Sequence, residues 1–198
     1  MVDMVNGPAL ALDGDPLPTE REDDGLVARL ARGDQAAFDA LVAAHQDRVS
    51  RLAYRLLGWS GDVDDVVQEV FLAAWKALPR FQGRSSVTTW LTRITINECR
   101  SLRRRWGRVL HREPAETGRV CSPAADSRMM NGETLGRVRR AVAALPVRHR
   151  EVVVLHYLEQ MPIGTVSDLL GVSANTVVVR LHRARAKLKN KLSDLMQE

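Results

Sequence analysis

The 198-residue sequence predicts an all-α protein, two small helical domains joined by a flexible linker. Three observations carry that expectation. Apolar residues recur every three or four positions through most of the chain. No alternating strand pattern and no internal repeat interrupts them. The aperiodic stretch 107–132, with Pro114, Gly118, Ser122, Pro123 and Gly132, separates two periodic blocks and is too long for an ordinary connection inside a domain. The expected divisions are an acidic tail at 1–22, a first domain at 23–106, the linker at 107–132 and a second domain at 133–198.

In the first block a helix begins near Asp24 with Leu26, Val27 and Leu30 inward, and Gly33-Asp34 restarts it. Phe38, Leu41, Val42, Val49, Leu52, Ala53 and Leu56 mark a long amphipathic helix that Gly58 can end through a left-handed cap. The next helix opens at Asp62. Asp62, Asp64 and Asp65 lie in its first turn, where the helix dipole favours negative charge. Its apolar stripe is Val63, Val66, Val67, Val70, Phe71, Ala74 and Leu78, and the opposite face presents Asp65, Gln68, Glu69, Leu72 and Lys76. That strip is either solvated or a docking surface, and periodicity leaves both open.

Pro79 stops the helix, and the loop that follows holds Phe81, Gly83, Arg84, Ser85 and Ser86. An aromatic among Arg and Ser suits an unstacked base, whose face can stack and whose phosphate can be neutralised; Phe81 can equally be a core plug. The next helix is expected to bury Val87, Trp90, Leu91, Ile94 and Leu102. Thr89, Arg93, Asn97, Arg100, Arg103 and Arg104 would then face outward.

After the linker, Leu135, Val138, Val142 and Leu145 form a helix closed by Pro146, and three more helical segments follow between Arg148 and Leu192. Gly171 breaks the second from the third, and Ser173 stands where an N-cap belongs. With Val177, Leu181, Ala184 and Leu188 inward, the outer face carries Asn175, Val178, Val179, His182, Arg183, Arg185 and Lys187. Its apolar and amide-bearing first half can meet base edges, and its cationic half can neutralise phosphates. A solvated basic helix in an ordinary bundle is the plainer alternative, but the glycine turn, the short second helix and the cationic third helix occur together.

Charge agrees with a nucleic-acid partner. The net charge of +5 is unevenly spread: Met1 to Asp24 holds seven acids and one base, and Arg100 to Arg112 six arginines and no acid. No apolar run reaches spanning length and the N-terminus lacks a secretory pattern, so a cytoplasmic protein without membrane insertion is expected. Cys99 and Cys121 lack metal-ligand spacing and none of the five histidines completes a site, so neither metal nor cofactor is expected.

The segment DVDDVVQEVFLAAW (62–75), the aromatic and serine loop, and TWLTRITIN (89–97) resemble region 2 of the extracytoplasmic-function sigma factors of bacterial RNA polymerase. The segment 145–188, with LP, Gly171, Thr176-Val177 and RLHRARAKL, resembles region 4 of the same group. The resemblance implies an all-helical subunit, not an enzyme, that binds core polymerase and directs it to promoters. Asp65, Gln68 and Glu69, with Leu72 between them, would dock on the β′ clamp helices, and the β subunit would be a second polymerase contact. Phe81, Arg84, Ser85 and Ser86 would capture a flipped base of the minus-ten element, flanked by Asn97 and by Arg93, Arg100, Arg103 and Arg104. The third C-terminal helix would read the minus-thirty-five element through Val178, Val179, His182 and Arg183, with Ser173, Asn175, Thr176, Arg180 and Arg185 beside them. The linker would thread toward the active-site and RNA-exit channels, and a sequestering anti-sigma factor is implied.

The sequence departs from that family in two places. Val178 and Val179 stand where a polar or basic pair is frequent, leaving a thymine methyl as the direct readout there. Thr165 and Ser167 replace the usual Glu and Ala. Two rival readings are a free-standing dimeric helix-turn-helix regulator, which leaves the docking strip and the Phe81 loop unexplained, and a metal-dependent nucleic-acid enzyme built on Asp62, Asp64 and Asp65, whose first-turn position the helix dipole already explains.

Overall fold

The computed structural model describes residues 29–193 except 31, 82, 84 and 111–131. The acidic tail, most of the linker, Leu26, Val27, Arg84 and Cys121 therefore lie outside the described residues. The elements are α1 (Gln35–Leu57), α2 (Val63–Ala77), a 3-10 turn (Leu78–Arg80), α3 (Val87–Leu110), α4 (Gly132–Ala143), α5 (Val147–Val153), a π turn (Val154–Leu158), α6 (Ile163–Leu170) and α7 (Ala174–Lys191). No strand occurs among the described residues.

Local chemistry sets the helix ends. Gly33 takes φ +74°, and the Asp34 carboxylate then accepts from the Ala37 N–H at 3.1 Å, capping α1. The Arg29 guanidinium, donating at 2.8 Å, and the Ala37 N–H hold that carboxyl below its usual range. At the other end Gly58, φ +85°, donates to the Tyr54 carbonyl at 2.8 Å. Asp62 sits at the cap position of α2 but its carboxylate accepts from Trp59 Nε1 at 2.6 Å instead.

Helices α1, α2 and α3 pack into one unit whose centre is Leu41, Leu52, Leu56, Val66, Val70, Val87, Leu91 and Ile96. Here α3 corrects the sequence reading. Its inner side is Val87, Thr88, Leu91, Thr92, Thr95, Ile96, Cys99 and Leu102, while Trp90 and Ile94 are only half-buried. The threonines tolerate burial because Thr92 and Thr95 each donate a hydroxyl to the carbonyl four residues back, at 2.8 Å. The helix also runs through Gly107 to Leu110, beyond the point where the linker was expected.

Helices α4 to α7 form the second unit. Val152, Val153, Val154 and Leu155 are all buried, because this stretch lies between α7 and α1, while Val147 and Arg148 at the start of α5 and Tyr157 in the π turn stay exposed. The π turn closes with the Glu159 N–H on the Val154 carbonyl at 2.9 Å. Gln160 follows at φ +54°, a left-handed position occupied by a residue with a Cβ.

The two units touch through charged groups. Arg150 is buried and donates to the Leu145 carbonyl at 3.1 Å in its own unit, and across the boundary to the carbonyls of Leu56, at 3.0 Å, and Leu57. These are the last carbonyls of α1, which have no partner within the helix. Gly58 is needed there for a second reason, since a Cβ would lie 2.5 Å from Arg150 Nη1. Glu159 pairs with Arg48 and Arg55, each at 2.9 Å, and Glu151 holds Arg100 through two hydrogen bonds of 2.9 Å.

Candidate nucleic-acid interface

The helix-turn-helix is formed by α6, Gly171 and α7. Gly171 adopts φ +66° and its N–H reaches the Ser167 carbonyl. The Ser173 hydroxyl then accepts from the Thr176 N–H at 3.2 Å and lies 2.8 Å from Thr176 Oγ1, so α7 begins at a defined point. Val177, Leu181 and Ala184 are buried, and Leu188 packs against the same core. Asn175, Val178, Val179, His182, Arg183 and Arg185 are exposed, and Thr176 and Arg180 are half-buried. Val178 and Val179, at 43% and 39% exposure, are among the few large apolar side chains left in solvent. No ion pair neutralises Arg180, Arg183 or Arg185 among the described residues.

On α2, Asp65, Gln68, Glu69 and Leu72 are all exposed on one side, with Leu72 at 46%. Trp75, one turn on from Leu72, joins that surface at 37% exposure and is held edge-on to Phe38, ring centroids 4.8 Å apart. The sequence reading missed it because a tryptophan beside an apolar stripe reads as core.

Phe81 is half-buried and packs on Trp90, centroids 4.6 Å apart. Its core-plug alternative therefore describes part of what it does, and the two rings make one aromatic platform. Ser85 and Ser86 are exposed; the Ser86 hydroxyl accepts from the Thr89 N–H at 3.2 Å and donates to Thr89 Oγ1 at 3.0 Å, fixing the start of α3. Arg93, Asn97 and Arg104 point to solvent as expected.

Arg100 and Arg103 do not. Arg100 is bound to Glu151 of the second unit, and Arg103 donates to the Leu56 carbonyl at the end of α1. Burial pulls the Arg103 guanidinium below its ordinary value, while the Glu151 hydrogen bonds raise that of Arg100. Two of the arginines expected on a DNA face are thus engaged at the boundary between the units. Burial likewise pushes the Cys99 thiol up to about 12, a poor state for redox chemistry. The described residues contain no group of three or more His, Cys, Asp or Glu able to hold a metal, and no helix among them is long and apolar enough to cross a membrane.

Comparison with known proteins agrees with this geometry. Residues 41–109 match the model of Sigma-70 region 2 and residues 135–188 that of Sigma-70 region 4. The ECF RNA polymerase sigma-E factor of Escherichia coli (strain K12) is 32% identical over 185 residues, covering 88% of this chain and 96% of that protein. The ECF sigma factor SigE of Mycolicibacterium smegmatis is 35% identical over 189 residues, covering 91% of this chain and 72% of the other. Among solved structures, CnrH in complex with the cytosolic domain of CnrY superposes with a TM-score of 0.63 at 34% identity, covering 85% of this chain and 96% of that one. The sigma factor RpoE of Bartonella quintana shares the fold, TM-score 0.68, at 22% identity, over 79% of this chain and 96% of that one. With both regions in order and 96% of the Escherichia coli relative spanned, the chain belongs to the ECF RNA polymerase sigma factors of the sigma-70 family.

Proposed function

We propose that this sigma factor carries core RNA polymerase to promoters and helps hold the duplex open, with the labour divided between its two units. Asp65, Gln68, Glu69 and Leu72 dock on the β′ clamp helices, and Trp75 enlarges the apolar centre of that strip. The Phe81–Trp90 platform, with Arg84, Ser85 and Ser86, receives an extruded base of the minus-ten element, and Arg93, Asn97 and Arg104 follow the strand. Arg100 and Arg103 join them once the second unit has moved away. Helix α7 enters the major groove at the minus-thirty-five element, where Val178 and Val179 meet thymine methyl groups and Arg183 and Arg185 meet phosphates.

The chain itself makes or breaks no covalent bond; polymerase does that. A cytoplasmic location follows from that partner. The complex of the related CnrH with a cytosolic domain supports a sequestering anti-sigma partner for this chain as well.

The observation that carries the reading is α7, a capped helix whose exposed side is apolar first and cationic after, with its arginines unpaired among the described residues. The test is run-off transcription with purified core polymerase on fragmented genomic DNA. Discrete starts are expected. Gln68→Ala should weaken them through polymerase binding, and Phe81→Ala at the opening step by about tenfold, the effect of losing roughly 1–3 kcal/mol of base stacking. A folded protein that gives no discrete start, yet binds an operator without polymerase, would establish the dimeric regulator instead.

A further inference from the structure

The turn between α6 and α7 consists of Gly171, Val172 and Ser173, and its apex is open: a Cβ built on Gly171 would meet no heavy atom within 4 Å. No described atom props the turn at that point. What holds it is Ser167, in the last turn of α6. The Ser167 carbonyl accepts the N–H groups of Gly171 and of Val172, the latter at 3.2 Å, as a helix ending in a left-handed glycine requires. The Ser167 hydroxyl also donates forward, to the Val172 carbonyl at 2.6 Å. Residues 167 and 172 are thus joined in both directions, and both are half-buried, which limits competition from water. A helical serine ordinarily bonds back one turn or points to solvent. Alanine, the usual residue here in the family, would keep the two backbone bonds and lack the third.

The clasp bears on what stands at the start of α7. Leu181 and Ala184 seat the body of that helix in the core, and Ser173, directly after the clasped Val172, caps its first turn. Val178 and Val179 follow one turn on, exposed. A valine side chain in a helix has one stiff torsion, so it cannot re-aim when the helix shifts, as a long polar side chain can. Its contact with a thymine methyl is a van der Waals contact, of which a gap of about 0.5–1 Å forfeits about a quarter to a half. Readout through valines therefore demands a recognition helix whose start does not rock.

We infer that Ser167 is a positioning residue for promoter selectivity: by clasping the turn it holds α7 so that Val178 and Val179 stay at contact distance from thymine methyl groups. The two departures from the family pattern, the serine of α6 and the paired valines of α7, then belong together. The inference rests on the minus-thirty-five role given above and adds the residue that sets how finely that element is read.

The test uses the full chain assembled with core polymerase, titrated onto duplexes that carry the minus-thirty-five element of a promoter recovered by run-off transcription. Each thymine is replaced in turn by deoxyuridine, which removes only the methyl group. For the unaltered protein at least one replacement should weaken binding about fourfold, the value of one buried methyl group. In Ser167→Ala the same replacement should matter by less than about twofold. The unreplaced duplex should bind Ser167→Ala several-fold more weakly, and a scrambled element as before, since phosphate contacts carry no sequence. Thr165→Ala, in the same helix and outside the clasp, should retain the full methyl dependence. In the free chain the Val172 N–H should exchange with solvent faster in Ser167→Ala, while the Val177 and Leu181 amides stay protected and show the unit folded. Unchanged methyl dependence in Ser167→Ala, or an unchanged Val172 exchange rate, overturns the proposal. So does equal weakening on cognate and scrambled duplexes, which assigns Ser167 to stability alone, or an equal loss of methyl dependence in Thr165→Ala. An unaltered protein indifferent to every methyl group overturns the valine readout first and this proposal with it, so the two failures are told apart.

Discussion

Helices α3 and α7 are both amphipathic and both lined with arginine, yet α3 gives two of its arginines to acceptors elsewhere in the fold and α7 gives none among the described residues. On α3, Arg100 and Arg103 meet Glu151 and the Leu56 carbonyl, groups brought from 51 and 47 residues away. On α7, Arg183 and Arg185 meet nothing acidic among the described residues. An arginine on a helix face is therefore claimed by whatever acceptor the fold brings within reach, and a DNA phosphate is one candidate among several. In this molecule a carboxylate and a carbonyl of the closed arrangement hold Arg100 and Arg103.

The strongest way to break this comparison is to remove the group at its hinge. Arg150→Met should cost about 3 kcal/mol, because it strips the donor from the carbonyls of Leu145 and Leu57 and leaves that of Leu56 to Arg103 alone. Urea unfolding of the full chain measures it. A loss under about 1 kcal/mol would mean those carbonyls find water and that the boundary is held elsewhere.

Separating the units more gently sharpens the same contrast. Glu151→Ala combined with Glu159→Ala removes the partners of Arg48, Arg55 and Arg100, whose side chains are 22–30% exposed. The three arginines are open enough to take up water once their carboxylates are gone, so the folded units should survive while the contact between them loosens. Scattering should show a larger radius, and the free chain should bind single-stranded minus-ten DNA several-fold more tightly as Arg100 is released. Unchanged affinity at a larger radius would show that Arg100 has no part in strand binding.

The smallest expected effect is a gain. Gln160→Gly relieves the left-handed backbone at φ +54° and should stabilise the second unit by about 1 kcal/mol, read as a rise in melting temperature. A fall would mean that the Gln160 side chain makes a compensating contact.

What the sequence disclosed was local. Gly33 and Asp34, Gly58, Gly171 and Ser173 all act where their chemistry places them, because a cap or a left-handed turn involves neighbours within five residues. The α2 strip and the outer side of α7 were legible for the same reason. The inner side of α3 was not, since Thr88, Thr92 and Thr95 read as polar although two of their hydroxyls bond back to their own helix. The fate of Arg100 and Arg103 lay beyond periodicity altogether, because each depends on packing between segments far apart in the chain.

The contact between Arg100 and Glu151 also has a consequence for reach. Elements centred near minus ten and minus thirty-five are about 25 base pairs apart, roughly 85 Å at 3.4 Å per pair. Units joined by a 2.9 Å hydrogen bond cannot straddle that distance, so occupying both elements and keeping this contact are mutually exclusive. Once parted, they are tied by the 22 peptide steps from Leu110 to Gly132, which at full extension span about 75 Å. The tether and the widths of the two units together therefore set an upper limit on the spacing that one chain can occupy, and chain length fixes that limit before any base is read.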